Sequence, residues 1–271
     1  MVGCEMNLVL VIQTKLSVRC FVLASLLAPP LLLAFEWNHW PCWFVLGLLS
    51  NFLLFYPSVR CNCQWFGPVV TRFRTEQKEV WLTIDDGPSP HDTPQILELL
   101  KRHHVLATFF VIGQRVREQP ELARAILREG HQLANHSETH AAAIFWCLPE
   151  GRLSREVVGG AQIIQEITGQ SPRWFRAPTG MANFFLHLIL REHGMKLIGW
   201  SARGFDGLRT NPDSIVATIL RSVKPGAIIL MHEGRRDRRG NPVNLRAIEM
   251  LLIRLKAEGY SFVVPSEDQF L

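Results

Sequence analysis

The stretch EVWLTIDDGP, residues 79–88, joins a short apolar run to two acidic residues and a turn. Glu79–Ile84 is predicted to form a buried strand, and Gly87-Pro88 forces a sharp exit from it. Thr93–His103 follows with helical spacing and with Pro94 in its first turn, where proline is tolerated. This stretch therefore predicts one strand–helix unit of an α/β fold.

The same alternation continues to the end of the chain. Further strands are predicted at Ala107–Ile112, Gln132–Asn135, Trp174–Arg176, Lys196–Ser201, Ala227–Met231 and Ser261–Val264. Further helices are predicted at Pro120–Glu129, Ser154–Thr168, Phe184–His193, Pro212–Val223 and Val243–Glu258. This series, about seven strand–helix pairs, indicates a parallel sheet covered by helices, and we expect a barrel rather than an open sheet. No Gly-x-Gly-x-x-Gly turn follows the first strand, which disfavours dinucleotide binding.

Charged residues are distributed unevenly along the 271 residues. The chain has 29 Lys and Arg and 24 Asp and Glu, but residues 1–59 contain only Glu5, Lys15, Arg19 and Glu36. Hydrophobic residues make up 48% of the chain and charged residues 20%, which argues against a disordered, collagen-like or coiled-coil protein. An apolar N-terminal segment therefore precedes a globular part that carries the whole net charge of +5.

The N-terminal segment contains two uncharged runs, Cys20–Phe35 and Trp37–Val59, on either side of a polar turn. A membrane-spanning helix needs roughly 20 apolar residues, which the second run supplies and the first approaches. We expect residues 1–59 to form a helical membrane hairpin. A cleaved signal peptide is the alternative, but the second run and the lack of a good cleavage site count against it.

Basic residues flank the two runs, while the turn between them has none. Lys15 and Arg19 precede the first run. The basic residues that follow the second run are Arg60, Arg72, Arg74 and Lys78. The positive-inside rule then predicts a multi-pass protein of the bacterial inner membrane whose globular domain lies on the cytoplasmic side. We expect residues 60–79 to be a linker and 80–271 to be that domain.

Polar residues capable of chemistry follow five of the predicted strands. They are Asp85 and Asp86, His136 and His140, Arg176, Asp206, and His232. In barrels of parallel strands the active site lies at the C-terminal ends of the strands. These side chains are therefore expected to meet at one mouth.

The pair His136 and His140 could bind one metal ion from a single face. Its order, His-Ser-Glu-Thr-His, differs from the zinc-protease motif, so a general base must come from elsewhere. Asp85-Asp86 offers two carboxylates, one to complete the metal site and one to take a proton from water. The alternatives are chance surface histidines and an acidic turn.

His232 ends an apolar strand, and imidazole is the usual general acid near neutral pH. Arg176 begins the tight turn Arg176-Ala177-Pro178-Thr179-Gly180 and could hold a carboxylate through two hydrogen bonds. A structural histidine and a surface salt bridge are the alternatives for these two residues.

Together the motifs resemble those of the NodB-type polysaccharide deacetylase family, carbohydrate esterase family 4. The resemblance covers residues 80–265. The matching motifs, in the family's order, are Thr83–Pro88, His136–His140, Arg176–Gly180 and Leu230–His232. It implies a distorted (β/α)7 barrel and a divalent metal, most often Zn²⁺.

The resemblance also implies roles for single residues. Asp85 would be the general base and His232 the general acid, with Arg176 orienting Asp85. The implied metal ligands are Asp86, His136 and His140.

The family's fourth motif, Asp-x-x-Asp-Trp, is altered in this chain. Its second Asp corresponds to Asp206, which could tune His232, but Arg203 and Gly207 replace the first Asp and the Trp. The hydrolytic residues are retained, whereas the usual wall of the sugar groove is not.

We therefore expect a metal-dependent hydrolase that removes an N-acyl group, expected to be acetyl, from an amino sugar. The apolar segment and the extra Arg203 favour a lipid-linked or glycolipid substrate and contact with membrane lipid. A deacetylase of extracytoplasmic polysaccharide and an inactive carbohydrate-binding membrane protein are the alternatives. Nucleic-acid binding is not expected, because the predicted mouth is acidic and lacks an aromatic-basic platform.

Overall fold

The computed structural model describes Phe52 and residues 55–271, and its centre is a curled sheet of eight strands. The strands are β1 (Glu79–Gly87), β2 (Thr108–Val111), β3 (Gln132–Asn135), β4 (Trp174–Phe175), β5 (Lys196–Leu197), β6 (Ala202–Arg203), β7 (Ala227–His232) and β8 (Ser261–Phe262). Their order is β5-β4-β3-β2-β1-β7-β6, all pairs run parallel, and β8 pairs with the start of β1. The parallel α/β fold predicted from the alternation is confirmed.

Helices connect the strands and cover the outer face of the sheet. They are α1 (Thr93–Arg102), α2 (Gly113–Glu118), α3 (Pro120–Arg128), α4 (Glu150–Ser154), α5 (Gly160–Thr168), α6 (Phe184–Glu192), α7 (Pro212–Leu220) and α8 (Val243–Ala257). A π-helical turn at Arg155–Gly159 joins α4 to α5.

Strand β1 shows how the sequence divides the core into two layers. Val80, Leu82 and Ile84 enter the outer core between sheet and helices, whereas Trp81 enters the inner core inside the curl. Side chains alternate along a strand, so Thr83 and Asp85 follow Trp81 on the inner face. This periodicity places Asp85 at the mouth of the curl.

The curl stays open between β5 and β6, which do not pair with each other within the described residues. Residues 69–73 run from the edge of β5 to the start of β7. Val70 forms a bridge with Ile198, and the Phe73 N–H donates to Gly226. The expected barrel is therefore a curled half-barrel. Part of the predicted linker is core structure, because the unpaired edge of β5 offers hydrogen bonds and the inner core accepts the Val70 and Phe73 side chains.

Several boundaries differ from the sequence predictions. Helix α2 was not predicted, since its six residues are too few to show a helical period. Ser154 is inside a helix that begins at Glu150, rather than its N-cap. The predicted strand Lys196–Ser201 ends at Leu197, because the N–H of Gly199 donates to Val70 instead of continuing the sheet.

The predicted membrane hairpin lies almost wholly outside the described residues. A helical turn is described at residues 55–59, ahead of the segment at residues 69–73. Within the described part of the chain, no helix combines the length and the hydropathy needed to cross a bilayer.

Candidate active site

The two adjacent carboxylates lie at a bulge that ends β1. The pairing with β2 shifts in register between Asp85 and Gly87, and Asp86 has a left-handed backbone with φ of 70°. In a regular strand neighbouring side chains point to opposite faces, and a bulge re-aims one of them. Here the oxygens of Asp85 and Asp86 both lie near His136 Nε2, at 3.7 and 3.5 Å.

The loop that carries the two histidines follows β3 and is fixed by its own polar residues. Asn135 donates to the Val157 carbonyl and accepts from the Ser137 N–H. Glu156 accepts from the backbone N–H and the hydroxyl of Thr139. Both Val157 and Glu156 belong to the π-helical turn, so this irregular turn anchors the histidine loop.

Asp86, His136 and His140 fit the metal site that the resemblance implies. Their ligand atoms all lie within 4.8 Å of one another. The Nδ1 atom of His136 lies 2.8 Å from the carbonyl oxygen of Arg176, so Nδ1–H donates and the Nε2 lone pair faces Asp86. The Oδ1 atom of Asp86 is buried without a hydrogen-bond partner. A cation between these atoms would satisfy both.

The charge states of the other two ligands agree with a cation site. Burial raises the pKa of Asp86, but the neighbouring imidazoles of His136, His232 and His140 lower it well below its ordinary value. Burial and His136 lower the pKa of His140 against the attraction of Asp86. A carboxylate and a neutral imidazole are the forms that bind metal.

Arg176 follows β4 and is completely buried beneath the mouth. Its Nη1 atom donates to Asp85 Oδ1 at 2.7 Å and to the Thr83 hydroxyl at 2.8 Å. Its other N–H groups donate to the carbonyls of Ile198 and Gly199. A buried arginine with four acceptors holds one orientation, and it fixes one oxygen of Asp85 so that the other faces His136.

His232 ends β7 and is held by Asp206. The Asp206 carboxylate accepts from the His232 backbone N–H at 2.7 Å and from Nδ1 at 3.0 Å. Burial alone would lower the pKa of His232, but the charge and hydrogen bond of Asp206, with the charges of Asp85 and Asp86, raise it to about 9. The Nε2 side of this imidazole is free to meet a substrate.

Exposure shows from which side a substrate reaches the site. The side chains of Asp86, His140 and His232 are 25%, 26% and 26% exposed. Asp85 and Arg176 are almost fully enclosed. The structure thus brings together all seven residues selected from the sequence, with Asp86, His140 and His232 partly open to solvent and the rest, including His136, beneath.

Two residues of the site were missed by sequence reasoning. Glu233 is buried directly after His232, and its Oε2 accepts from the Ser89 N–H and the Thr93 hydroxyl, which ties the exit of β1 to the end of β7. Burial raises the pKa of Glu233 to about 7, against these hydrogen bonds. The signal in the sequence that could have revealed Glu233 was its position directly after His232. Glu156 gave none, because it lies in an ordinary helical pattern.

The altered fourth motif changes the rim of the mouth. Arg203 lies in β6, and its guanidinium carbon is 4.2 Å from the ring centroid of Phe205 and 5.5 Å from that of Trp200. A side chain added at Gly207 would meet nothing within 4 Å. One wall of the mouth is therefore open at Gly207 and basic at Arg203.

Comparisons with known proteins agree with this geometry. The family model described as polysaccharide deacetylase matches residues 73–198. A chitooligosaccharide deacetylase from Bradyrhizobium sp. (strain ANU 289) is 36% identical over 192 residues, covering 68% of this chain and 87% of that protein. A peptidoglycan-N-acetylglucosamine deacetylase from Bacillus cereus is 34% identical over 203 residues, covering 74% of this chain and 92% of that protein.

A solved structure is similar over the same region. A carbohydrate esterase family 4 pseudoenzyme from Bacillus anthracis superimposes with a TM-score of 0.65 at 30% identity. The match covers 72% of this chain and 66% of that one.

Proposed function

The chain belongs to the polysaccharide deacetylase family of carbohydrate esterase family 4, and from that premise we propose that it is a metal-dependent deacetylase of an amino sugar linked to lipid at the membrane. It is a hydrolase of N-acetyl amide bonds. The identity of the metal, the lipid-linked substrate and the compartment go beyond family membership.

The pairing of β1 with β7 is the observation that carries the proposed mechanism. Asp85 and His232 are register partners on these neighbouring parallel strands. Partners of this kind have their backbones roughly 5 Å apart. A base and an acid are thus placed side by side, each held by its own buried partner, Arg176 and Asp206.

Asp86, His136 and His140 would hold the divalent ion, most often Zn²⁺ in this family. The chemistry that such an ion supplies when bound is Lewis acidity toward an acyl oxygen and a lower pKa for water. His136 keeps Nε2 directed toward the site because the backbone carbonyl oxygen of Arg176 accepts a hydrogen bond from its Nδ1–H.

The chain's own groups then move two protons. The Asp85 oxygen that faces His136 accepts a proton from the attacking water. His232 is protonated at neutral pH because Asp206 raises its pKa to about 9, so it can donate that proton to the departing amine nitrogen. The amide bond breaks as this proton arrives, which releases acetate and the free amino sugar.

An inactive binding protein is disfavoured by the same residues. A pseudoenzyme of this fold is expected to lack a ligand or a proton-transfer group, yet the three ligands, the base and the acid are all present here. The relatives whose names specify chitooligosaccharide or peptidoglycan keep open a second substrate class, a glycan polymer outside the cell.

Exposed apolar side chains near the mouth support the lipid part of the proposal. Phe205 and Leu208 follow β6, and Leu208 is 78% exposed. In the loop after His140, Trp146 packs against Phe55, with ring centroids 5.3 Å apart. Exposed apolar residues clustered around a site mark contact with another apolar surface.

The proposed compartment is the cytoplasmic side of the bacterial inner membrane. The support is the distribution of basic residues, with Lys15 and Arg19 before the two apolar runs and four basic residues between 60 and 78 after them. A reporter fused after Leu271 that is active only in the periplasm tests this directly: activity there places the domain outside and favours the polymer substrates.

A deacetylation assay tests the activity itself. Purified full chain is treated with a chelator, reloaded with Zn²⁺, and offered lipid-linked N-acetyl sugars and soluble chitooligosaccharides. Activity that is lost with the chelator, restored by the metal and higher on the lipid-linked sugar is the expected result. Asp85→Asn should retain the metal and lose about 10²–10⁴-fold in turnover, the usual effect of a general base. Equal activity before and after chelation contradicts metal dependence.

A further inference from the structure

Arg203 is a rigid cation without an anionic partner. Among the described residues, no acidic side chain forms an ion pair with it, and its contacts are the faces of Phe205 and Trp200. Aromatic faces fix the plane of a guanidinium and leave its N–H donors unused. Unused donors on a fixed guanidinium are suited to an anion supplied from outside.

Arg235 approaches the same turn from the loop after β7. Its Nη2 donates to the Leu208 carbonyl at 3.1 Å, while its Nε is buried without a hydrogen-bond partner. A buried N–H with no acceptor is costly, and the cost is removed when an acceptor arrives. Arg203, from strand β6, and Arg235, from the loop after β7, therefore both reach the turn at residues 205–208.

The turn has no negative charge left to offer these arginines. Its one acidic residue, Asp206, is fully buried and directs both oxygens to His232. Arg209 adds a third guanidinium beside Phe205. The rim next to His232 is consequently cationic, and exposed Phe205 and Leu208 lie within it.

We propose that Arg203 and Arg235 form a subsite for a phosphate group on the amino-sugar substrate, next to the acid His232. This deepens the proposed function and rests on it. A guanidinium binds phosphate through two parallel hydrogen bonds, and two guanidinium groups, one from strand β6 and one from the loop after β7, match the several oxygens of a phosphate ester. The exposed apolar residues of the same turn meet the lipid when the phosphate joins sugar to lipid.

The test compares three N-acetylglucosamine substrates with the Zn²⁺-loaded full chain in detergent. They are the neutral methyl glycoside, the soluble 1-phosphate, and the same phosphate esterified to a polyprenol. Arg203→Gln should raise KM for both phosphates about 10- to 100-fold, the effect of losing a hydrogen bond to a charged group. KM for the neutral glycoside should change less than threefold.

Two variants serve as controls. Arg238→Gln removes an exposed arginine of the same loop that makes no ion pair within the described structure, so it reports the effect of net charge alone. Arg203→Lys keeps the charge without the planar fork and should fall between wild type and Arg203→Gln. An equal loss in Arg238→Gln and Arg203→Gln overturns the subsite.

The substrates separate the possible results. If both phosphates are preferred over the glycoside, the subsite is supported and the phosphate alone determines the preference. If the polyprenyl ester alone is preferred, the subsite is supported and the lipid is required as well. Equal kcat/KM on all three overturns the subsite and leaves the deacetylase intact. If no substrate is deacetylated, the proposed function fails. Calorimetric binding of the 1-phosphate to Asp85→Asn, with and without Arg203→Gln, then decides the subsite separately.

Discussion

Replacing Arg176 by methionine should destabilise the protein by about 3–5 kcal/mol, the usual cost of leaving one member of a buried ion pair alone. Arg176 is fully buried, and Asp85 beside it is 2% exposed, so water cannot replace the lost guanidinium. The Thr83 hydroxyl and two backbone carbonyls lose donors at the same time. Methionine fills most of the volume of the arginine stem, which limits the contribution of a cavity.

Urea denaturation of the metal-free protein measures this loss as a change in the free energy of unfolding. The double variant Arg176→Met/Asp85→Asn is the matched control, because it removes the uncompensated carboxylate. It should be more stable than Arg176→Met alone. A loss below about 1 kcal/mol in the single variant, the range of an exposed pair, would refute the reasoning. A double variant no more stable than the single one would refute it as well.

Four further predictions concern the metal site and the acid. Asp206→Asn should lower the pKa of His232 and move the alkaline limb of the kcat/KM profile to lower pH; an unmoved limb contradicts the pairing. Since His232 has a raised pKa, its stabilisation of the metal-free fold is present below pH 6.5 and is lost as pH rises through about 9, and pH-dependent melting of the wild type and Asp206→Asn measures this. His140→Ala should reduce bound metal in elemental analysis, while stoichiometric metal would exclude it as a ligand. Gly160→Ala should weaken metal affinity at least tenfold in chelator competition, because its Cβ would lie 2.5 Å from the Asn135 amide oxygen and 2.9 Å from the backbone of the histidine loop; unchanged affinity would show that the loop can shift freely.

The strands and helices whose apolar residues repeat with a regular period were predictable from the sequence. Alternation along β1 places Trp81 and Asp85 on one face, and β3, β4 and β7 end at or just before His136, Arg176 and His232. The active residues sit at strand ends, so locating the strands also located the residues. The spatial pairing of Asp85 with His232 depended on strand order, which no local pattern contains.

Features that depend on irregular backbone or on distant contacts were not predictable. The bulge at Asp86 and the π-helical turn at Arg155–Gly159 have no period, yet they aim one metal ligand and anchor the loop of two others. Val70 and Phe73 have an ordinary linker composition around them, and they become core residues through distant contacts, with Ile198 for Val70 and with Gly226 and Phe270 for Phe73. The sequence showed Arg203 as a departure from a motif. That no acidic side chain among the described residues pairs with it could be seen only in the folded structure.

Residues 61–70 also limit how far the active site can move relative to the helical turn at residues 55–59. Cys61 donates its thiol hydrogen to the Thr179 carbonyl, and Asn62 donates to the Trp200 carbonyl, before Val70 joins the sheet. Cys61 and Asn62 therefore link the chain just after the helical turn at residues 55–59 to the loops that follow β4 and β5. A domain attached just ahead of the helical turn at residues 55–59 would be joined to the active site by a rigid connection and not by a flexible linker. The distance between its attachment point and the active site would then be nearly fixed. Inserting a flexible spacer between residues 59 and 61 would allow that distance to vary.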